Sequence, residues 1–392
     1  NRDMYTVKIG LDPHLHDKFV AASGMPNLLQ TSKWGTIKSS WKSEIIGFYQ
    51  DDKLVASCLV LIRPLPLGFT MLYIPRGILM DYTDKALLKF VLLELKKFGK
   101  SQKALFIKFD PAYKFDDAYD LLTNLTSAGV EYTGRTTEMH DTIQPRYNAV
   151  IYKEDFAEEN LDKKTRQFIR KARNSYPEVT FGGKELVPVF AELMKKTEAR
   201  KNVSLRNADY YTKLLDTYGS DAFITLVKFN MAKVKKDMEA NVEKIKDNQA
   251  KAKNEKRLKT LTEELAIAEK NVADITQFIA EKGEIIPVAG TLSINAFGAA
   301  ETLYAGTDTA FQKYYPSYLV WLETIQHAFE NGAKTLNMGG LENSLSENDG
   351  LLKFKKHFNP RIEEYVGEFD LAVSKLLYKM ANAMYMRRKT KH

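Results

Sequence analysis

The sequence predicts an α/β protein of mixed sheets, built as two similar units with a helical hairpin inserted into the second. Three observations predict it. The 392 residues exceed what one hydrophobic core usually serves, so two domains are expected. A run of strand-like and helix-like segments that begins near residue 44 recurs after residue 222. Between Phe229 and Gly283 there is neither proline nor glycine, and apolar residues return at three- and four-residue steps, a helical spacing.

The elements follow in order. "SEIIGFYQ", "LVASCLVLIR" and "TMLYIPRG" are rich in β-branched and aromatic residues and are punctuated by turn signals such as "DDK", so each reads as a strand. An amphipathic helix runs from about Thr83 to Lys100. Strand "ALFIKFD", a helix near Asp116 to Ser127 and a strand near Asn148 to Tyr152 complete a β-β-β-α-β-α-β set. The second set is "AFITLVKF", "IIPVAGTLSINAF", "ETLYAGTD", a helix over Tyr315 to Asn331, "TLNMGG", the helix carrying "LLKFKKHF" and the strand "EEYVGEFDLAV". The expected domains are residues 1–152 and 153–392, with 372–392 packing on the first. The repeat is far too long for a solenoid.

The insert, residues 230–283, has a coiled-coil seam of Met231, Val234, Met238, Val242 and Ile245, then Leu258, Leu261, Leu265, Val272, Ile275 and Ile279. Polar "KDNQAKAKNEKR" breaks the seam, so the chain folds back as an antiparallel hairpin reaching on the order of 30 Å. It reads equally as a solvated strut and as a partner or tRNA contact.

Composition excludes several classes. With 44% hydrophobic and 28% charged residues the chain is neither disordered nor membrane-embedded. No apolar run reaches the roughly 18 residues of a membrane span, and a signal-peptide pattern is absent, so a cytoplasmic protein is expected. The single cysteine, Cys58, lies in "LVASCLVLI" and reads as a buried thiol. His14 and His16, beside Pro13, read as a loop pair, and no metal site is expected. Phosphate-loop, dinucleotide and nucleophile-elbow motifs are absent, so any chemistry is direct transfer organised by position and charge.

Two basic stretches stand out against a net charge of +8, which suits an anionic partner. In "NLDKKTRQFIRKARNSYP", Leu161, Thr165, Phe168, Ile169 and Ala172 share one helix face. Lys163, Lys164, Arg166, Arg170, Lys171 and Arg173 crowd the others with no nearby carboxylates to balance them, and an anion such as RNA is the simplest partner. In "GLLKFKKHFNP", helical spacing places Leu351, Phe354 and Phe358 on the apolar stripe and turns Lys353, Lys356 and His357 away; Lys355 is left unassigned.

Six stretches in register, "LLQTSKWGTIKSSW", "IPRGILMDY", "IKFDPAY", "SLRNADYYTKLL", "ETLYAGTDTAF" and "GLLKFKKHFNP", with a helical arm between the fourth and fifth, resemble the Fem aminoacyltransferase family over essentially the whole chain. The resemblance implies two acetyltransferase-like (GNAT) domains. It also implies transfer of an amino acid from aminoacyl-tRNA to the stem-peptide lysine of a peptidoglycan precursor, without a metal or coenzyme A. The lysine of the family's Phe-Lys motif, the transition-state cation, falls on Lys355 after Phe354. The diphosphate-binding lysine and arginine fall on Lys38 and on Arg206, the latter followed by Tyr210.

Tyr304 and Asp110 occupy matching places in the two repeats. Tyr304 suits a hydrogen bond to the acceptor; Asp110 suits either the amine or a structural cap before Pro111. Trp34 and Trp41 suit pocket lining or ordinary packing. The acceptor favoured is lipid-linked (lipid II), with soluble UDP-MurNAc-pentapeptide as the other form. Alanine, serine and glycine all suit the donor. The C-terminal "KLLYKMANAMYMRRKTKH" suits packing on the first domain or a peripheral contact with anionic lipid at the inner face of the membrane. The competing readings are a noncatalytic RNA-binding or scaffold protein and an acyl-CoA-dependent N-acyltransferase. The second lacks its pyrophosphate loop here.

Overall fold

In a computed structural model, which describes residues 4–134, 143–201, 206–341 and 350–390, the strand-like segments form two mixed sheets. The chain runs β1 (Tyr5–Ile9), α1 (Pro13–Ala22), β2 (Lys42–Gln50), β3 (Lys53–Pro64), β4 (Thr70–Ile74), β5 (Leu79–Met80), α2 (Lys85–Ser101), β6 (Ala104–Phe109), α3 (Tyr119–Ser127), β7 (Glu131–Tyr132) and β8 (Tyr147–Tyr152). It continues α4 (Lys163–Arg173), β9 (Glu178–Gly182), α5 (Val187–Lys201), α6 (Ala208–Tyr218), β10 (Ala222–Asn230), α7 (Met231–Ala250), α8 (Glu255–Lys282), β11 (Ile285–Ala296) and β12 (Ala299–Thr307). The last elements are α9 (Pro316–Glu330), β13 (Thr335–Leu341), α10 (Gly350–Lys356), β14 (Arg361–Glu364), β15 (Phe369–Ala372) and α11 (Lys375–Thr390).

The first sheet has the order β1-β2-β3-β4-β6-β15-β7, with β5 on β3; the second has β14-β8-β13-β12-β11-β10-β9. The repeat is visible in them, because β2, β3, β4 and β6 recur as β10, β11, β12 and β13. Each set ends in a parallel pair, β4 with β6 and β12 with β13. Beyond these pairs the two sets exchange strands. The strand near Asn148, expected to close the first set, is β8 and runs antiparallel to β13. "EEYVGEFDLAV" is two strands rather than one: β14 joins β8, and β15 joins β6 and β7. The break comes at Gly367, whose φ of +102° and close approach to Gly134, with a Cβ only 2.6 Å from its carbonyl, leave no room for a side chain.

Packing follows the sequence pattern. Asp84 caps α2 by accepting from the Leu87 N–H at 3.1 Å, and Leu87, Leu88, Val91, Leu92, Leu95 and Phe98 then recur on one buried face. They meet Phe48, Leu72, Ile74, Ile107, Phe109, Phe369 and Leu371 of the first sheet in one core. Each such side chain contributes roughly 1.5–3 kcal/mol. The insert is the expected helical hairpin: Val242, Ile245, Leu261 and Ala268 interlock, and the Met231 N–H meets the Glu284 carbonyl at its base. One seam position differs. Leu258 is exposed, whereas Ala252 and Ala268, which are not seam positions, join the cluster.

The chain divides into two compact units that do not follow sequence order. One holds residues 1–156, 294–302 and 328–392; the other holds 157–293 and 303–327. Among the described residues no helix is long and apolar enough to cross a membrane. Ser204, Leu205, Lys391 and His392, part of two stretches singled out above, lie outside the described residues.

Candidate active site

Within the first unit the Phe-Lys motif sits on α10. The inward face of that helix is Leu352 and Lys355, followed by Phe358, and Lys355 is only 6% exposed. Leu351, expected on the apolar stripe, is exposed, and Lys353 and Lys356 face solvent as expected. The difference is one of phase: residues 352 and 355 lie three apart on one side of a short helix, and a Leu351 stripe would rotate it by about 100°. Phe354 is half-buried and meets Phe358 edge-on at 5.8 Å.

The Lys355 ammonium donates to the Gly340 carbonyl at 3.0 Å. That carbonyl belongs to a bulge in β13, where the register against β8 slips between Asn337 and Gly340. Gly339 has φ +104°, a backbone that favours glycine, and a Cβ there would stand 3.3 Å from Lys355 Nζ, a tight contact. The bulge is held from behind. Gly339 N–H donates to Asn337 Oδ1 at 2.8 Å, and Asn337 Nδ2 donates to Asn148 Oδ1 at 3.2 Å. Asn148 Nδ2 donates to the Pro145 carbonyl at 3.1 Å, which also receives Arg76 Nη2 at 2.8 Å.

Arg76 leads on to a buried carboxylate, Asp110. Its backbone is left-handed, at φ +54°, and its N–H donates to Asp110 Oδ1 at 2.7 Å, while the Tyr73 hydroxyl donates to Oδ2 at 2.6 Å. Asp110 is 1% exposed, with a partner on each oxygen, which is the geometry of a clamp between the end of β6 and the turn after β4. Burial pushes its carboxyl up to about 6 against the pull of Arg76. The Arg76 guanidinium lies 4.4 Å from the Tyr365 ring centre. Burial also raises Glu301, again opposed by Arg76.

Lys38 follows two short 3-10 turns after α1 and stands 4.1 Å over the Trp41 ring. Trp34 and Trp41 pack on Leu59, Leu61, Met71 and Tyr73, on a sheet face that does not carry the main core. His16 corrects the loop-pair expectation. Asp12 caps α1 and Pro13 opens it, so His14 and His16 are helical. His16 is fully buried, with Nδ1 2.6 Å from Ser57 Oγ and Nε2 2.6 Å from the Gln30 carbonyl. A carbonyl only accepts, so Nε2 carries the proton and Nδ1 accepts from Ser57; burial lowers the imidazole pKa.

Within the second unit, Arg206, Tyr210 and Tyr304 come together. Asn207 caps α6 through the Tyr210 N–H at 3.0 Å. The Arg206 guanidinium sits 4.7 Å from the Tyr210 ring centre, and Tyr210 meets Tyr304 of β12 edge-on at 6.3 Å. Burial pushes the Tyr304 phenol well up, Tyr210 adds to the push, and Arg206 opposes it.

The basic helix is α4, capped by Asp162 through the Thr165 N–H at 2.7 Å. Thr165, Ile169 and Ala172 are buried, and Phe168 stacks on Tyr315 at 4.2 Å. Lys163, Lys164, Arg166, Arg170, Lys171 and Arg173 are exposed. The expectation that no carboxylate balances them needs correction at Arg173, which pairs with Glu158 fifteen residues upstream. Arg166 Nε donates to the Leu161 carbonyl at 3.1 Å.

Among the described residues no cluster of His, Cys, Asp or Glu is placed to hold a metal ion. The sequence reading missed Arg76, Asn148, Asn337 and Gly339. The signals available for them were the turn-like "PRG" and the paired glycines of "NMGG".

The chain is similar to known proteins over nearly all of its length. The chain is 29% identical over 395 residues to a protein named lipid II:glycine glycyltransferase from Staphylococcus haemolyticus, covering 95% of this chain and 94% of that one. It is 29% identical over 389 residues to the protein of the same name from Staphylococcus aureus, covering 93% and 92%. The crystal structure of FemX superposes with a TM-score of 0.77 at 27% identity, covering 96% of this chain and 99% of that one. A tandem GNAT protein from the clavulanic acid biosynthesis pathway shares the fold at 7% identity, with a TM-score of 0.52 over 95% and 99% of the two chains. The FemAB family pattern runs from residue 11 to residue 386, and the chain belongs to the FemAB family.

Proposed function

We propose that this FemAB-family transferase moves an aminoacyl group from aminoacyl-tRNA to the stem-peptide lysine of lipid II, forming an interpeptide bridge. The names of its relatives favour glycine as the group moved. The observation that carries the reading is Lys355, a lysine buried inside a two-glycine bulge instead of lying on the surface, where lysines ordinarily stay.

In the proposed reaction the neutral stem-peptide amine attacks the ester carbonyl carbon, a C–N bond forms and the carbonyl oxygen becomes an oxyanion. Collapse breaks the ester C–O bond, and the amine proton leaves with the tRNA ribose oxygen. The Lys355 cation, anchored on Gly340, stabilises the oxyanion. Lys38 and Arg206 contribute phosphate contacts, the arginine as a planar fork and the lysine as a point charge. Tyr304 donates to the acceptor peptide. The exposed cations of α4 contact tRNA phosphates. Asp110 holds the Arg76 turn, since both of its oxygens already have donors. The lipid-linked acceptor brings the protein to a membrane surface as a peripheral partner.

The test is a transfer assay with glycyl-, alanyl- and seryl-tRNA, lipid II or UDP-MurNAc-pentapeptide as acceptor, and Lys355→Met in parallel. Label should enter lipid II from one donor and be lost in the variant while tRNA binding survives. Label that reaches no acceptor, with tRNA still bound, would overturn the proposed reaction.

A further inference from the structure

At one end of the first sheet, apolar side chains stand exposed among the described residues. The β3–β4 hairpin closes with the Leu65 N–H on the Phe69 carbonyl at 2.8 Å, and its tip residue Leu67, left-handed at φ +65°, is 93% exposed. Thr70, at the foot of that hairpin, pairs with Ala104 at the start of β6. The end of β15 arrives at the same place, with Ala372 opposite Phe106, and α11 begins three residues later. The hairpin and the start of α11 thus stand two strand spacings apart, about 10 Å.

Tyr378 fixes which way α11 faces. Its ring meets Phe106 at 5.6 Å and its hydroxyl donates to Asp370 Oδ2 at 2.8 Å. Leu376 and Met380 lie two residues to either side of it, on the opposite face, and are 69% and 55% exposed. Exposed cations border both apolar points: Arg63 and Lys103 by the hairpin, Lys375 and Lys379 on the helix. A groove of about 700 Å³ beneath α11 adds Lys96 to the two helix lysines. The carboxylates here are few. Glu131 and Asp370 line the groove, Asp370 already paired with Lys108 at 2.8 Å, and Glu94 is paired with Lys97 at 3.2 Å.

Separate apolar points interleaved with cations fit a bilayer interface, where leucine and methionine enter the acyl boundary and lysines meet phosphates. A protein partner would call for a continuous apolar patch. We infer that this end of the first sheet, the Leu67 hairpin tip with the outer face of α11, is the surface by which the protein rests on an anionic bilayer. This deepens the proposed use of a lipid-linked acceptor and rests on it for its purpose, but not for its test.

The experiment is co-sedimentation with vesicles of phosphatidylcholine alone and of phosphatidylcholine mixed with phosphatidylglycerol, at rising salt. The wild-type protein should bind the anionic vesicles and be released by salt. Leu67→Glu combined with Leu376→Glu should weaken binding about tenfold or more. The same variant should keep the wild-type circular dichroism spectrum and melting temperature, which shows that it folds. Equal binding to both kinds of vesicle, or undiminished binding by the double variant, overturns the inference. Salt-sensitive binding lost in the variant supports it, even if the wild-type protein transfers nothing to either acceptor; only the proposed reaction would then fail.

Discussion

The two parallel strand pairs end differently, one at a buried carboxylate and the other at a buried lysine. Beyond β4 and β6, a carboxylate closes the gap: Asp110 takes the Tyr73 hydroxyl and the Arg76 N–H, and after a slip between Thr70 and Leu72 the register holds from Leu72 opposite Ile107 to Ile74 opposite Phe109. Beyond β12 and β13 the register runs only from Ala299 opposite Thr335 to Glu301 opposite Asn337. There β13 bulges, and a carbonyl turns to meet Lys355. The same supersecondary unit yields a clamp at one end and a held cation at the other. The residues at the strand end, and not the fold, decide which.

The largest effect is expected at the second end. Lys355→Met should cost about 10²–10³ in kcat, the scale of losing one oxyanion donor, with little change in thermal stability because the methionine still fills the buried slot. Gly339→Ala should follow. The added Cβ meets Lys355 Nζ and cannot relax at φ +104°, so transfer should fall by roughly tenfold and stability by about 1–2 kcal/mol, read by kinetics and urea unfolding.

Asp110→Asn probes the other end and should move stability more than kcat. The Asp110 carboxyl is raised from 3.8 to about 6, so in the folded protein it binds a proton more tightly than in the unfolded chain. Its contribution is therefore full below 3.8 and is lost as pH rises through about 6. The stability of wild type relative to the Asn variant should fall across that window and level off above it. If instead kcat fell as far as in Lys355→Met, the contrast between the two ends would collapse and Asp110 would join the chemistry.

The smallest effects belong to α4. Lys163→Ala, Arg166→Ala and Arg170→Ala should each weaken tRNA binding a few-fold and lower the salt slope by about 1. Arg173→Ala should do less, because its guanidinium is already committed to Glu158. Filter binding across a salt series distinguishes them.

Much of the fold was legible because it rests on local periodicity. The arm is the clearest case: its seam is spaced along two helices and needs no distant partner to be read. The inward turn of Lys355 was legible only through the Phe-Lys resemblance, since helical spacing by itself favoured Leu351 and the seven-residue α10 is too short for spacing to set the phase. Arg76 and Asn337 were not legible. Their partners lie 69 and 189 residues away, and no local pattern encodes such a contact. Sheet membership of β8 and β15 failed for the same reason, because a strand's own sequence does not name its neighbour.

That exchange of strands has a consequence for synthesis. β6 leaves the ribosome with Phe106, Ile107 and Phe109 and gains β4 early, but its other edge stays unpaired until residues 369–372 are made. β8 likewise waits for residues 335–341. The first half of the chain therefore has no finished sheet of its own, and a truncated product ending near residue 160 would present an open apolar edge, the kind that pairs with other chains. Folding of the N-terminal sheet closes only when the C-terminus arrives.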